Sequence, residues 1–251
     1  MTDIYQNARL YDALGAQQFG GSDLAYWQQQ CIRYGGPVLE LACGSGRLTI
    51  PLAEAGMDIE GLELSPAMLA TAREKSDARG LKLPWHLGDA TDFTVDRSFG
   101  MIFLPNNSIV HLLTWQDLLS CLACVRRHLA VGGRFLLDYF NPSLALLMRD
   151  PVGRFPVADF THPETRAPVV VTESSVYDAA TQINHARWFW RLEDRAEEVV
   201  SELPMRVYFP QELDALLALA GFDIEAKYGS YDLVPFTSAP QKQLIVARAA
   251  Q

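Results

Sequence analysis

No stretch limits what this chain can fold into as tightly as Val38–Arg47, V-L-E-L-A-C-G-S-G-R, in which a short apolar run ends in an acid and then in two glycines flanking a serine. Leu48, Ile50, Leu52 and Ala53 then begin a helical spacing, so the segment reads as strand, tight loop and helix. Glycine tolerates positive φ and lets a ligand come close to the main chain, and the free N–H groups of a helix start face whatever is bound there. Gly44 and Gly46 therefore make the loop a cradle. A second strand, Asp58 to Leu64, carries Glu63 near its end, and an acid at that place in parallel α/β units accepts hydrogen bonds from both hydroxyls of a ribose. Ser65-Pro66 caps and opens the next helix, turning Met68, Leu69 and Ala72 inward. The pattern favours a nucleoside ligand.

Two ligand classes use such a loop. Dinucleotide binders need G-x-G-x-x-G, because the third glycine lets the helix pack tightly beside the pyrophosphate; here that third place is Thr49. The loop instead resembles motif I of the class I S-adenosylmethionine-dependent methyltransferases, an acid followed by small residues and glycines, which Glu40, Ala42, Gly44 and Gly46 match. The resemblance puts the amino-acid end of S-adenosylmethionine over this loop. It implies a cofactor set of Glu40, Ala42, Gly44, Ser45, Gly46, Glu63, Leu64 and Met68, with S-adenosylhomocysteine as product. After the third strand the family has an acid that accepts from the adenine amine and a main-chain N–H that donates to a ring nitrogen; these carry over to Asp89 and Ala90. An NAD-dependent oxidoreductase and a non-catalytic module that only binds the cofactor are the rival readings.

Ligands of open α/β sheets bind beyond the carboxyl ends of the strands. The fourth strand ends at Ile102-Phe103-Leu104 and runs into Pro105-Asn106-Asn107-Ser108-Ile109-Val110-His111. Pro105 and Asn106 join the cofactor side, while Asn107 and His111 face the substrate; His111 reads either as a polar substrate contact and catalytic candidate or as a capping or packed histidine. Nucleobase amino-methyltransferases show a different loop here, an acid or Asn with two prolines and an aromatic, which argues against a nucleic-acid substrate. Asp138-Tyr139-Phe140-Asn141 closes the fifth strand. Tyr139, as the second catalytic candidate, and Asn141 either orient a substrate or form a strand-end turn before Pro142.

A net charge of −9 with no run of Lys or Arg leaves no nucleic-acid footprint. Met1 to Leu14 mixes Asp3, Arg9 and Asp12 with tyrosines, which is neither a secretion signal nor a membrane span, so a cytoplasmic location without a membrane partner is expected. Cys121 and Cys124 form a C-x-x-C among Leu118, Leu119, Leu122 and Val125 at helical spacing, with no second ligand pair nearby. They read as buried thiols, and no metal is expected.

The 251 residues suit one α/β domain with an insertion. Residues 1–36 read as two helices forming a lid over the cofactor mouth. Ser22 caps the second, whose Leu24, Trp27 and Cys31 share a face before Gly35-Gly36 stops it; Tyr5 and Tyr11 are lid residues bordering the substrate, or plain core or surface aromatics. Strands are expected near 37–42, 58–63, 83–87, 100–104 and 133–140, helices near 47–55, 66–79, 115–129 and 210–220, and Gly132-Gly133 as the turn into the fifth strand. Residues 37–149 and 209–251 would form the S-adenosylmethionine-binding domain. Within 150–208 the helical period is lost, and Val169–Thr172, Ser175–Tyr177 and His185–Leu192 suggest antiparallel strands, with Asp178–Gln182 as a hairpin turn. In the last run Ala186, Trp188, Trp190 and Leu192 share one face and His185, Arg187, Phe189 and Arg191 the other. This β-rich insertion is a substrate cover or oligomer contact; Arg187, Trp188 and Arg191 border the cavity, or the tryptophans simply pack the sheet.

The resemblance implies an α/β fold with a Rossmann-like, seven-stranded, mostly parallel sheet closed by an antiparallel edge hairpin, Phe222–Tyr228 with Gln243–Arg248. L-E-L-S-P-A-M-L, the insertion and the N-terminal tyrosines are similar to small-molecule N-methyltransferases acting on glycine or amino sugars. The expected reaction moves a methyl from S-adenosylmethionine to N or O of a small polar molecule by in-line displacement, in a monomer or homodimer.

Overall fold

The structure is a computed structural model that describes residues 5, 7–19, 23–193, 197–239 and 241–250. Two helices, α1 (Ala8–Phe19) and α2 (Leu24–Tyr34), precede the sheet. Then β1 (Val38–Leu41), α3 (Thr49–Glu54), β2 (Ile59–Glu63), α4 (Pro66–Asp77), β3 (Trp85–Leu87), β4 (Phe99–Leu104), α5 (Trp115–His128) and β5 (Leu129–Phe140) follow. Every residue of β1 is buried, as a central parallel strand covered on both faces requires. It pairs in parallel with β2, Val38 opposite Ile59, and with β4, Val38 opposite Met101. The chain therefore builds outward from β1 in one direction through β2 and β3, then returns to its other side for β4 and β5. At that reversal the loops after β1 and β4 diverge and leave a crevice.

Past β5 come a one-turn helix, α6 (Leu144–Leu147), and four strands, β6 (Phe155–Thr161), β7 (Pro168–Asp178), β8 (Ile183–Leu192) and β9 (Val199–Arg206). They form their own antiparallel sheet in the order β6-β7-β8-β9. The two runs expected at 169–172 and 175–177 are one continuous strand, β7, and the sheet gains two edge strands where the alternation of apolar and polar residues is weak, β6 beside β7 and β9 beside β8. Asp178 makes the hairpin turn, accepting from the Ala180 N–H at 2.9 Å and the Thr181 hydroxyl at 2.7 Å. The chain then closes with α7 (Pro210–Leu219) and the strands β10 (Phe222–Tyr228) and β11 (Lys242–Ala249). These two pair antiparallel with each other, and β11 pairs antiparallel with β5, so the large sheet runs β10-β11-β5-β4-β1-β2-β3.

Local chemistry sets most of the boundaries. Ser65 caps α4 by accepting from the Met68 N–H, with Pro66 in the first turn; Thr114 and Asp117 form a reciprocal capping box on α5. The expected α2 cap, Ser22, lies outside the described residues, and the neighbouring Asp23 makes no cap bond. Gly132-Gly133 is a correction: it lies inside β5, not before it. Pairing with β4 jumps from Phe99–Leu129 to Met101–Arg134, and Gly132, at φ 78°, absorbs the extra residues as a bulge. Cys121 and Cys124 are both buried on the inner face of α5, and burial pushes the Cys121 thiol up to about 12.

Gly35-Gly36 stops α2 as expected, and does so against β4. A Cβ on Gly100 would sit 2.5 Å from the Gly35 carbonyl oxygen and 3.3 Å from the Gly36 Cα. Both obstacles are main chain and cannot rotate away. Gly100→Ala is expected to cost about 1–3 kcal/mol by overpacking, read from the urea midpoint; an unchanged midpoint would show that the strand and turn part freely. No helix among the described residues is long and apolar enough to cross a membrane.

Candidate functional site

The crevice at the strand reversal widens into a cavity of about 1100 Å³. All of the expected cofactor residues border it: Glu40, Ala42, Gly44, Ser45, Gly46, Glu63, Leu64, Met68, Asp89, Ala90, Pro105 and Asn106. Around the loop after β1 the backbone turns left-handed at Ala42, Gly44 and Gly46. A Cβ on Gly46 would lie 2.8 Å from Ile50 Cδ1 and 3.0 Å from the Trp85 ring, so only glycine keeps the loop flat under a ligand. The Gly44 N–H donates to one Glu63 oxygen at 2.9 Å and the Ser65 N–H to the other at 2.8 Å. The carboxylate is thereby fixed at the cavity edge, and each oxygen keeps a second lone pair. Glu40, 2% exposed, accepts from the Thr49 hydroxyl; burial pushes its carboxyl up to about 8.

The first two helices are tied to this loop by charge. On α1, Asp12 accepts from the Ser45 hydroxyl and from Lys75 Nζ of α4 at 3.0 Å, and Lys75 also donates to Ser45 Oγ at 3.1 Å. Buried Asp23 receives both arms of the Arg47 guanidinium, at 2.8 and 2.7 Å, a bidentate geometry of the strong kind. Neither Asp12 nor Lys75 was anticipated, since nothing local marks residues so far apart in the chain as partners. Tyr11 borders the cavity, and burial holds its hydroxyl above the usual range.

Opposite the glycine loop, Asn106 and Asn107 follow β4 in left-handed conformations, φ 54° and 62°. Asp138, 0% exposed, holds them there: its carboxylate accepts from the Asn106 N–H at 3.2 Å and its carbonyl from the Asn107 N–H at 3.0 Å. Lys242 Nζ at 2.9 Å and the Tyr231 hydroxyl at 2.7 Å complete its shell. Asn107 lines the cavity, and its Oδ1 is buried without a hydrogen-bond partner, a costly state for an amide oxygen. In the short 3-10 turn Ser108–His111, His111 Nε2 lies 2.8 Å from the Tyr5 hydroxyl, so Tyr5, Asn107 and His111 meet at one wall.

Three expected substrate residues are not at the cavity. Alternation along β5 turns Asp138 and Phe140 toward the site and Tyr139 to the other face, where it is 0% exposed and its hydroxyl accepts from the Tyr208 N–H at 3.0 Å. Tyr139 is a packing residue, not a catalytic one. Asn141 uses its N–H to pair with the Gln241 carbonyl at 2.6 Å. Arg187 points outward from β8 to an exposed ion pair with Glu202, and Arg191 is likewise exposed outside the cavity. The same alternation brings Trp188 inward, so this residue of the insertion, with Leu203 and Met205 of β9, walls the cavity.

Residues 38–133 match the family described as "Methyltransferase domain". Over 246 residues, 94% of this chain and 93% of the relative, the sequence is 24% identical to the cypemycin N-terminal methyltransferase of a Streptomyces species. It is 34% identical over 101 residues, 40% of this chain and 38% of the relative, to the dTDP-3-amino-3,6-dideoxy-alpha-D-glucopyranose N,N-dimethyltransferase of Streptomyces fradiae. Among solved structures, the CcbJ methyltransferase from Streptomyces caelestis is similar with a TM-score of 0.77, at 24% identity, over 98% of this chain and 100% of that one.

Proposed function

We propose that the chain, whose residues 38–133 match a methyltransferase domain, is a class I S-adenosylmethionine-dependent enzyme that methylates the nitrogen of an amine on a small molecule. What carries this reading is that one cavity holds the expected donor residues on one side and Tyr5, Asn107 and His111 on the other. The relatives above are named for transfer to an N-terminus and to a sugar amine.

The fit to the donor rests on the left-handed turn at Gly46, where a Cβ would collide with Ile50 and Trp85, and on the fixed carboxylate of Glu63. When bound, the sulfonium supplies a methyl group already activated for in-line displacement. The chain's own residues do the rest. Glu63 accepts from the ribose hydroxyls, Asp89 and the Ala90 N–H read the adenine, and Gly44, Ser45 and Gly46 cradle the amino-acid end. Apolar walls exclude water and hold the amine in line, an effect of up to about 7–11 kcal/mol. The His111–Tyr5 pair receives the amine proton. This reading predicts labelled methyl transfer from S-adenosylmethionine to amines in a panel of amines and alcohols. Transfer confined to hydroxyls would move the acceptor atom to oxygen, and tight donor binding with no transfer to either class would leave a binding module.

A further inference from the structure

We infer that the acceptor carries its amine on an uncharged, largely apolar body without a phosphate group, an inference that rests on the amine-methylating reading above. The cavity, at about 1100 Å³, lies at the top of the range of about 300–1,000 Å³ usual for ligand sites, which leaves room for an acceptor beside the donor. The charges around it are unevenly placed. Its lysines and arginines among the described residues are Arg47, Lys75 and Arg79. All three lie on the glycine-loop side, and each faces a carboxylate: Asp23 at 2.7 Å, Asp12 at 3.0 Å and Glu54 at 3.2 Å.

The other half, built from the turn after β4 and the sheet of the insertion, has no lysine or arginine among the described residues that line it. Leu112, Leu113, Phe140, Trp188, Leu203 and Met205 supply its surface. The arginines of β8 alternate to the outside, and the Trp188 indole N–H is spent on Glu173 at 2.8 Å. A helix start is the other common phosphate site; the one on this wall, α5, is closed by its own Thr114–Asp117 box and adds the negative charge of Asp117. A phosphate here would lose water with no lysine, arginine or free N–H array among the described residues to replace it, and His111, the one side chain there that can turn cationic, is assigned to the amine proton. An apolar body gains the leucine and tryptophan surface. The wall thus separates this chain from the nucleotide-sugar chemistry for which one of its relatives is named.

The test is steady-state methyl transfer at saturating S-adenosylmethionine to three acceptors: a nucleoside-diphosphate-linked amino-deoxyhexose, the same amino sugar as an apolar glycoside, and a short apolar peptide with a free α-amine and an amidated C-terminus. At least one uncharged acceptor is expected to exceed the phosphate-bearing one by about tenfold or more in kcat/KM, carried by KM, the loss of one charge-assisted contact; the better of the two identifies sugar or peptide as the source of the amine. Leu113→Lys, which adds a cation to this half-buried wall position, is expected to narrow the gap. A phosphate-bearing acceptor used as well as or better than both others by the unaltered protein overturns the inference and leaves amine methylation standing. Transfer to none of the three, with donor binding intact, overturns both.

Discussion

His111→Ala is expected to lower kcat for an amine acceptor by about 100-fold at neutral pH, the lower end of what a positioned proton acceptor contributes, with little change in KM. The lower end applies because the methyl group needs no activation by the protein, so the base serves only to free the amine lone pair. His111 is exposed at the end of a short turn, with its Nε2 2.8 Å from the Tyr5 hydroxyl, so its loss should leave folding intact. The deficit should shrink as the pH rises toward the amine's own pKa, where the substrate arrives deprotonated. Tyr5→Phe keeps the ring and removes the hydroxyl, and should show a smaller loss with the same pH trend. A flat ratio of variant to wild-type rates across pH 6–10 would reduce the pair to a packing contact.

Removing the carboxylate of Glu63 is expected to weaken S-adenosylmethionine and S-adenosylhomocysteine binding alike by about 1–3 kcal/mol, about 5- to 150-fold in Kd. Two effects add. The ribose hydroxyls lose their acceptor, and the Gly44 and Ser65 N–H groups, now bonded to the two oxygens, lose the anchor that holds the loop in place. Glu63→Gln separates them, since its remaining oxygen retains one of those bonds; its Kd should fall between wild type and Glu63→Ala in isothermal titration. Equal affinity in all three proteins would dismiss Glu63 from the donor site.

The glycine-loop side of the cavity was legible because its chemistry is local. Glycines, a strand-ending acid and a Ser-Pro helix start each impose their geometry within a few residues, and Glu40, Gly44, Glu63 and Asp89 all reach the cavity. The acceptor side depends on phase. Along β5 and β8 a shift of one position decides whether a side chain faces the site or the far side, so Tyr139 and Arg187 were expected at the cavity and Trp188 was left open between cavity and sheet. The contacts that fix the walls are longer in range still. Asp138 reaches Asn106 and Lys242, and Asp12 reaches Ser45 and Lys75, across gaps that no periodicity signals. The bulge in β5 escaped for a related reason: a glycine pair reads equally well as a turn or as a slip within a strand, and only the pairing partner decides.

The four strands β6 to β9 share no ladder with the seven that carry the glycine loop and Glu63. Their backbone bonds are satisfied among themselves, so the ribbon can be altered, or exchanged for that of another enzyme at its junctions near residues 141 and 208, without breaking a single interstrand bond on the other side. The wall that Trp188, Leu203 and Met205 give the cavity can thereby be reshaped while the ladder under the glycine loop stays whole.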